Sequence, residues 1–498
     1  MGPARPAPSA TVRAGGLLLL GLFALCAWRA ATQAVSHDEA LTWLLYLDQP
    51  FGTMFGAWQA NDHLLHTALA WLSVHAFGST ELALRLPALL GAALCLLALR
   101  RLARRACGDG PLHLLALVLL AANPLLLDLL VAARGYGLAL ALLLWAAIVL
   151  LEALDAGAAG APRPGAWWRA SLLLGLCVTA NLAFAPAALG LLGAAWLAGP
   201  RSPGRLAALL LPGAALAAAV LVPSMVGVTQ ASFIVGVDRL SLTADTLLQP
   251  SLSHHPAAWL PDEHGNLLRA FLLPVGRALA VLLLLLLLVR CPRWLRRGGP
   301  ADDDERVLAL LGGALLLALA GLVVAHHAVG LLYPADRTGL YLLPLALLPA
   351  LVLARRGLAG RWRMAAQDTL AVLVAWGVLQ LAELQVDRFA LWPLDAGARR
   401  AFETMEARQQ RLPHRDVQLR VAHRFLAPAM QFYRETRGAS WLAPVPTEWD
   451  AHDLDLDYLL VPAGDWGDVL AGDPERFNVL YEDPVTGVRL AVPKHRGR

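Results

Sequence analysis

Long apolar runs dominate the hydrophobic pattern of this chain, and short polar or arginine-bearing segments separate them. A run of about 17 or more apolar residues is long enough to cross a bilayer as a helix. The pattern therefore predicts a polytopic α-helical membrane protein with about eleven spans. The predicted spans are Gly15–Ala31, Leu82–Leu99, Leu112–Val131, Gly135–Leu154, Trp167–Ala183, Phe184–Leu197, Leu206–Val222, Leu267–Val289, Val307–Ala325, Gly339–Leu353 and Thr369–Leu384.

One apolar stretch, from His63 to Phe77, is short and is interrupted by His66 and His75. If it crossed the membrane, the arginine cluster at residues 100–105 would fall on the outer side. We therefore interpret this stretch as an amphipathic helix that lies on the outer membrane surface.

Charged and polar residues return after Leu384, and short β-like runs alternate with helix-like pieces. This pattern predicts a transmembrane domain over residues 1–385 and a small α/β domain over residues 386–498. The predicted strands are Val417–Val421, Tyr458–Pro462, Asn478–Tyr481 and Val488–Val492, and the predicted helices are Ala398–Arg411 and Ala427–Thr436.

Arginine placement predicts the orientation of the chain. Cytoplasmic loops are rich in basic residues, and arginines cluster near residues 100–105, 163–169, 201–205, 290–306 and 355–363. No basic residue occurs from Ala30 to Leu84. We expect a cytoplasmic N-terminus, outer loops at residues 32–81 and 223–266, and an extracytoplasmic C-terminal domain.

The overall composition supports a membrane protein, because 58% of the residues are hydrophobic and only 16% are charged. Lys494 is the single lysine, so an anionic group inside the membrane part must meet arginine. The chain has no aromatic-interleaved basic patch, which argues against nucleic-acid binding. The five cysteines lack the spacing of metal ligands.

The N-terminal run, with Arg5 and Arg13 before it, also fits a cleaved signal peptide. Cleavage would detach the helix that precedes Asp38, so we favour an uncleaved span.

Candidate chemistry begins directly after the first span, in Val35-Ser36-His37-Asp38-Glu39-Ala40. Carboxylates at the mouth of a membrane helix are costly to keep, and a carboxylate suits general-base work on a hydroxyl or amine. Successive helical residues point about 100° apart, so only one carboxylate faces a given substrate atom. We predict Asp38 as the base and Glu39 as an orienting neighbour. The alternative is a solvated loop.

Two further motifs frame the predicted surface helix. Asn61-Asp62-His63 opens it, and Phe77-Gly78-Ser79-Thr80-Glu81 followed by Arg85-Leu86-Pro87 closes it. With these motifs the sequence resembles the C-type glycosyltransferase superfamily (GT-C), and in particular the bacterial group of family 39 enzymes, protein O-mannosyltransferase-like proteins and lipid A aminoarabinose transferases. The resemblance covers about residues 15 to 155 well. Many relatives have His-Pro-Pro where this chain has Asp62-His63-Leu64, and their phosphate-binding lysine has no counterpart here.

The resemblance implies an enzyme of the bacterial inner membrane. Its sugar donor would be carried on a polyprenyl phosphate, and its acceptor would be an envelope lipid, glycan or protein. Asp38 would deprotonate the acceptor as it attacks the anomeric carbon, with inversion. Cations near the leaving phosphate would lower the barrier. Arg85, Arg134 and Arg337 lie at predicted outer ends of spans, where snorkelling to the interface is the alternative. The expected substrate-binding residues are His37, Asn61, Asp62, His63, Arg85, Arg134, Tyr136, Arg337 and Tyr341.

We expect no cofactor. A divalent metal is the open alternative, since His254, His255, Asp262, Glu263 and His264 share the outer loop without a tight helical spacing. The acidic run Asp302–Glu305 is expected to be a solvated cytoplasmic loop before a helix.

Two other function classes stay open on the sequence alone. A lipid or solute transporter would be expected to show paired repeats and broken helices at mid-membrane, whereas this chain places its polar residues at one outer face. A structural partner in an envelope complex would leave Asp38 dispensable.

Overall fold

A computed structural model of the protein describes residues 9–56, 59, 62–225, 235–252, 262–297, 299–411, 417–446, 456–469 and 476–494. The chain forms two compact units. The first contains Met1–Ala27, Met54–His66 and Pro87–Leu384, and the second contains Trp28–Thr53, Thr67–Leu86 and Gln385–Arg498. The domain boundary at residue 385 stays a prediction.

The described residues are mostly helical. In chain order the helices are α1 Ala10–Thr32, α2 His37–Thr42, α3 Leu64–Phe77, α4 Glu81–Cys107, α5 Pro111–Ala121, α6 Pro124–Val131, α7 Tyr136–Ala158, α8 Pro164–Ala180, α9 Ala185–Ala198, α10 Pro203–Leu221, α11 Leu240–Leu248, α12 Asp262–Arg297, α13 Asp303–Val307, α14 Gly313–Val329, α15 Leu342–Leu358, α16 Arg363–Ala382, α17 Ala398–Gln409, α18 Ala427–Thr436 and α19 Trp466–Val469.

The predicted polytopic helical membrane fold is confirmed, whereas the predicted number of about eleven spans is larger than the described helices support. Within the described part of the chain, seven helices are long and apolar enough to cross a membrane, and the bent pair α5–α6 would make eight. The remaining runs form α8, α9 and α15, which have 17, 14 and 17 residues.

Pro124 accounts for the bend between α5 and α6, which measures 59°. Proline has no backbone N–H and clashes with the preceding turn, so the helix that begins at Pro111 cannot continue through it. Asn123 caps the new helix, since its side-chain oxygen accepts a hydrogen bond from the Leu126 N–H at 3.3 Å. The same side chain donates to Ser251 Oγ at 2.9 Å.

The predicted surface helix is present as α3, and Gly78 ends it with a φ of 88°, which favours glycine. Its buried positions recur every three or four residues and include the polar His66, Thr67 and Ser73. Leu72 is 56% exposed and Phe77 is 70% exposed. This apolar outer face suits a membrane surface, and the location at that surface stays a prediction.

The second unit contains a four-stranded sheet, which confirms the predicted α/β character of the C-terminal region. Its strands are β1 Leu419–Val421, β2 Tyr458–Val461, β3 Phe477–Glu482 and β4 Arg489–Pro493, in the order β1-β2-β4-β3. β1 and β2 pair in parallel, and the other pairs are antiparallel. Leu456, Leu459, Val461, Phe477 and Ala491 form its buried core.

The acidic run at residues 302–305 differs from the expected solvated loop. Asp302 caps α13, and the next three residues form the first turn of that helix. Asp304 pairs with Arg355 and Arg356, and Asp303 pairs with Arg306. Carboxylates favour the positive end of a helix, so the run both starts α13 and ties it to α15.

Candidate active site

The acidic motif folds as the first turn of α2 because Ser36 and Glu39 form a capping box. Ser36 Oγ accepts from the Glu39 N–H at 3.3 Å, and Glu39 Oε2 accepts from the Ser36 N–H at 2.8 Å. Such a box satisfies two backbone donors that a helix start otherwise leaves unpaired. It also fixes the directions in which the three residues His37 to Glu39 leave the helix.

Glu39 is held by Arg85, and both side chains are fully buried. Arg85 Nε donates to Glu39 Oε1 at 2.8 Å, and Nη2 donates to Oε2 at 2.7 Å. The remaining donors of Arg85 bond the carbonyl oxygens of Ala30, Gln33 and Ala34. A guanidinium has five N–H groups, and all of them are used here. Arg85 therefore has no N–H left for a substrate phosphate in this arrangement, which argues against the predicted substrate contact.

Asp38 is 8% exposed, and its surroundings differ from those of Glu39. Its Oδ1 lies 3.6 Å from His37 Nε2. Its backbone oxygen accepts from Thr42 Oγ1 at 3.0 Å, inside the helix. The two adjacent carboxylates therefore have different environments: one is locked into an ion pair with arginine, and the other lies beside an imidazole.

His37 lies between two aspartates. Asp395 Oδ2 accepts from the His37 backbone N–H at 2.8 Å and lies 3.0 Å from its Nδ1. The His37 ring also stacks on Phe425, with ring centroids 4.6 Å apart. Asp395 is buried, and this burial raises the pKa of its carboxyl, while the hydrogen bonds from His37 oppose the rise.

Sequence reasoning missed Asp395 and Phe425. Asp395 lies 358 residues from His37 in a 3₁₀ turn, Pro393–Gly397, and no local pattern distinguishes it from other acidic residues. Ser36-x-x-Glu39 was a usable local signal for the helix start.

Glu81, the acidic residue of the second motif, contacts Tyr433 and Arg399 in the second unit. Tyr433 accepts from the Val35 N–H at 3.0 Å and donates to Glu81 Oε1 at 3.1 Å. The Arg399 guanidinium lies 3.7 Å from the same Glu81 oxygen. These contacts fix the chain directly before the acidic motif.

Six other predicted site residues line one cavity of about 570 Å³ in the first unit. They come from loops, turns and helix starts, and they are Asp62, His63, Arg134, Tyr136, Arg337 and Tyr341. The structure thus divides the predicted site into two groups: these six residues, and His37, Asp38, Glu39 and Arg85 in the second unit.

The apolar lining of the cavity comes largely from two packed helices. α9 contributes Leu189, Gly190 and Gly193 to the lining, and α14 contributes Leu317 and Leu322. A side chain at Gly190 would come within 2.5 Å of the Ala314 carbonyl oxygen, so glycine permits the close approach of these helices. Asn181, also in the lining, was not predicted.

Arg134 is 2% exposed and lies just before the start of α7. The glycine after it is required, because a Cβ on Gly135 would lie 1.9 Å from the Ala180 carbonyl oxygen. The His63 ring packs edge-on against Tyr136, with centroids 5.1 Å apart. Burial, with a further contribution from Arg134, holds the pKa of His63 well below its usual range. His63 is therefore neutral at pH 7, and the arginines supply the positive charge.

Arg337 lies on a 3₁₀ turn, Asp336–Gly339, that follows Pro334. Asp336 has a φ of 36°, a left-handed conformation that costs a non-glycine residue of order 1–3 kcal/mol. Its side chain accepts from the Arg337 N–H, and Thr338 Oγ1 accepts from the Ala335 N–H at 2.8 Å. These bonds hold the strained turn that presents Arg337 to the cavity. Tyr341 follows, buried and edge-on to Phe184.

Some predicted residues of the outer loops lie outside the described part of the chain. These residues are Asn61, His254 and His255. The structure describes Asp262, Glu263 and His264 only as the start of α12. Among the residues that the structure does describe, no group of three or more His, Cys, Asp or Glu side chains could hold a metal ion.

Comparison with known proteins gives structural similarity only. No family model and no curated protein matches the sequence. ArnT from Cupriavidus metallidurans bound to undecaprenyl phosphate is 14% identical, with a TM-score of 0.45, over 98% of this chain and 99% of that chain. The Archaeoglobus fulgidus oligosaccharyltransferase in complex with zinc and sulfate is 12% identical, with a TM-score of 0.46, over 97% of this chain and 73% of that chain.

A third similar structure is the arabinofuranosyltransferase AftD from mycobacteria, which is 15% identical with a TM-score of 0.48, over 98% of this chain and 42% of that chain. Two of the three are glycosyltransferases by name.

Proposed function

We propose that this protein is a membrane glycosyltransferase that moves a sugar from a polyprenyl-phosphate donor to an envelope acceptor. The observation that carries the proposal is the cavity of the first unit, which gathers six of the residues expected to bind substrate, two arginines among them. The acceptor would be a lipid, a glycan or a protein, and the stereochemistry at the anomeric carbon would be inverted.

The cavity has the two kinds of lining that a lipid phosphate needs. Leu189, Leu317 and Leu322 offer apolar surface to a prenyl chain, whose burial is favourable in proportion to its area. Arg134 and Arg337 offer planar forks that match phosphate oxygens. Since such contacts are charge-assisted, they are roughly twice as strong as neutral hydrogen bonds.

The formal charges of the cavity suit the reaction. Two arginines and Asp62 give a net charge of +1, with His63 neutral. A sugar linked through a phosphodiester carries about −1, and the departing polyprenyl monophosphate carries more negative charge at neutral pH. Fixed cations therefore stabilise the leaving group more than the donor, which is what lowers a barrier.

Asp38 would act as the general base. A hydroxyl or amine of the acceptor attacks the anomeric carbon and gives its proton to Asp38, while the bond from that carbon to the phosphate oxygen breaks. The electron pair leaves with the polyprenyl phosphate. Glu39 and Arg85 act as positioning residues, since their ion pair fixes the helix turn that carries Asp38.

Arginine distribution supports the orientation that this reaction requires. Residues 30–84 and the region after residue 386 would lie outside the cytoplasm, in the bacterial periplasm, with residues 386–498 as a separate domain. A transporter or flippase would also bind a polyprenyl phosphate in such a cavity, but it would not need Asp38.

Binding of undecaprenyl phosphate to the purified protein tests the role of the cavity. We expect Arg337→Lys to bind this lipid more weakly, because lysine keeps the charge and loses the fork, and Arg337→Ala to bind it more weakly still. Arg239→Ala is the matched control, since this arginine lies in the predicted outer loop of residues 223–266 and its side chain is 77% exposed. Wild-type binding by Arg337→Ala would make Arg337 a membrane anchor instead.

A further inference from the structure

Asp395 lies directly behind His37, on the side away from Asp38, and no sequence motif assigns it a role. One oxygen of Asp395, Oδ2, accepts the backbone N–H of His37 at 2.8 Å and lies 3.0 Å from Nδ1. Because this oxygen already acts as an acceptor, Nδ1 carries the hydrogen of the ring. In the neutral imidazole the lone pair is then on Nε2.

Nε2 is the nitrogen that faces Asp38, with Oδ1 of Asp38 at 3.6 Å. Phe425 stacks flat on the ring, at 18° between planes, and blocks its rotation. The His37 side chain is 17% exposed, so a proton on it can reach water. The distance of 3.6 Å exceeds a hydrogen bond, as is common at catalytic sites before substrate binds.

We propose that Asp395 is a positioning residue that holds His37 so that Nε2 receives the proton Asp38 takes from the acceptor. This inference rests on the proposed function. The acceptor proton first makes Asp38 a carboxylic acid. Asp38 then gives that proton to Nε2, which regenerates the carboxylate and leaves an imidazolium between two carboxylates. His37 finally releases the proton to water, so no further reactant is needed.

The carboxylate of Asp395 makes this order of events favourable. It stabilises the imidazolium that forms, and it keeps the correct ring nitrogen toward Asp38. Its other oxygen, Oδ1, is buried with no hydrogen-bond partner among the described residues. That is a costly arrangement for a carboxylate with a purely structural purpose.

The test compares Asp395→Asn with wild type. The donor is the polyprenyl-phosphate sugars extracted from the native membranes, the acceptor is the envelope fraction of cells that lack the gene, and the release of polyprenyl phosphate is measured by mass spectrometry. We expect kcat to fall by roughly 10- to 100-fold, within the range for proton-transfer groups, while KM for the donor lipid stays within about 3-fold. The variant Asp38→Asn/Asp395→Asn should be no slower than Asp38→Asn alone, because residues that act as a unit are not additive.

Asp457→Asn is the matched control, because Asp457 is also buried in the second unit and its Oδ2 accepts the Gln418 N–H at 2.8 Å beside the β-sheet. It should keep the wild-type kcat. His37→Gln gives a second route if Asp395→Asn fails to fold, and it should show the same loss and the same non-additivity with Asp38→Asn.

Three results would overturn the inference: an unchanged kcat in Asp395→Asn or His37→Gln, a defect confined to KM, or losses that multiply with that of Asp38→Asn. If wild type itself releases no polyprenyl phosphate, the proposed function fails instead, so the two failures are distinguishable.

Discussion

The ion pair of Arg85 and Glu39 offers a prediction whose size follows from the structure. Both side chains are fully buried, so water does not screen the pair. Removing one partner leaves an uncompensated buried charge, which typically costs about 3–5 kcal/mol. We expect Arg85→Met and Glu39→Gln each to lower the free energy of unfolding by that amount.

The double variant Arg85→Met/Glu39→Gln should recover part of this loss, because neither charge remains. The amide oxygen of the introduced glutamine would still accept the Ser36 N–H, as the Glu39 carboxylate does now at 2.8 Å. Recovery is incomplete, since the carbonyls of Ala30, Gln33 and Ala34 lose the donors of Arg85. At about 1 kcal/mol per hydrogen bond, we expect the double variant to remain roughly 1–3 kcal/mol below wild type.

Thermal unfolding of the purified protein in detergent measures these differences. For a unit of about 150–250 residues, 1 kcal/mol corresponds to about 2–4 °C, so each single change should lower Tm by roughly 6–20 °C. Single variants that unfold within about 2 °C of wild type would refute the reasoning. A double variant no more stable than Arg85→Met would do the same, because it would show that the buried charge is not the source of the loss.

Three further predictions concern other parts of the chain. The pKa of His63 is lowered in the folded protein, so the unfolded chain takes up a proton first as the pH falls below the ordinary value of 6.5. Tm should therefore decrease from pH 7 to pH 5, and this decrease should be smaller in His63→Asn. An equal decrease of Tm in wild type and His63→Asn would contradict the burial argument. Gly135→Ala should lower Tm and weaken undecaprenyl phosphate binding, because its Cβ would meet the Ala180 carbonyl oxygen at 1.9 Å; unchanged binding and Tm would show that the backbone yields there at no cost. A reporter active only in the periplasm should be active after Arg498 and silent at Arg104, and the reverse pattern would place Asp38 in the cytoplasm.

The fold was largely predictable because its signals are local. Apolar runs of span length and short β-like runs in the C-terminal region are recognised from adjacent residues. The break at Pro124 was missed, because the apolar pattern continues through it and predicts one span, Leu112–Val131. The length of each helix was less accessible, since α12 has 36 residues, Asp262–Arg297, whereas the apolar run predicts only Leu267–Val289. The helix continues beyond the apolar run because the polar residues and arginines on either side also tolerate a helical backbone.

The sequence predicted a site residue only where that residue belongs to a local sequence motif. Asp38 stands out in sequence because a carboxylate pair at the mouth of a membrane helix is costly. Arg337 stands out because the other arginines cluster mainly in predicted cytoplasmic loops. The role of Arg85 was not accessible, since it depends on five hydrogen bonds, three of them to backbone carbonyls. Asp395 was not accessible either, because its partner His37 lies 358 residues away.

Mass spectrometry of envelope glycans tests the central claim most directly, in cells that carry the wild-type gene, the Asp38→Asn variant or no gene. We predict a glycosylated envelope component in the wild type that is absent from cells without the gene. In cells that carry Asp38→Asn at the wild-type protein level, this component should be absent or reduced by roughly the 10²–10⁴-fold typical of a lost general base. The polyprenyl-phosphate sugar donor should accumulate in those strains. An envelope glycan profile that is the same in all three strains would contradict the account.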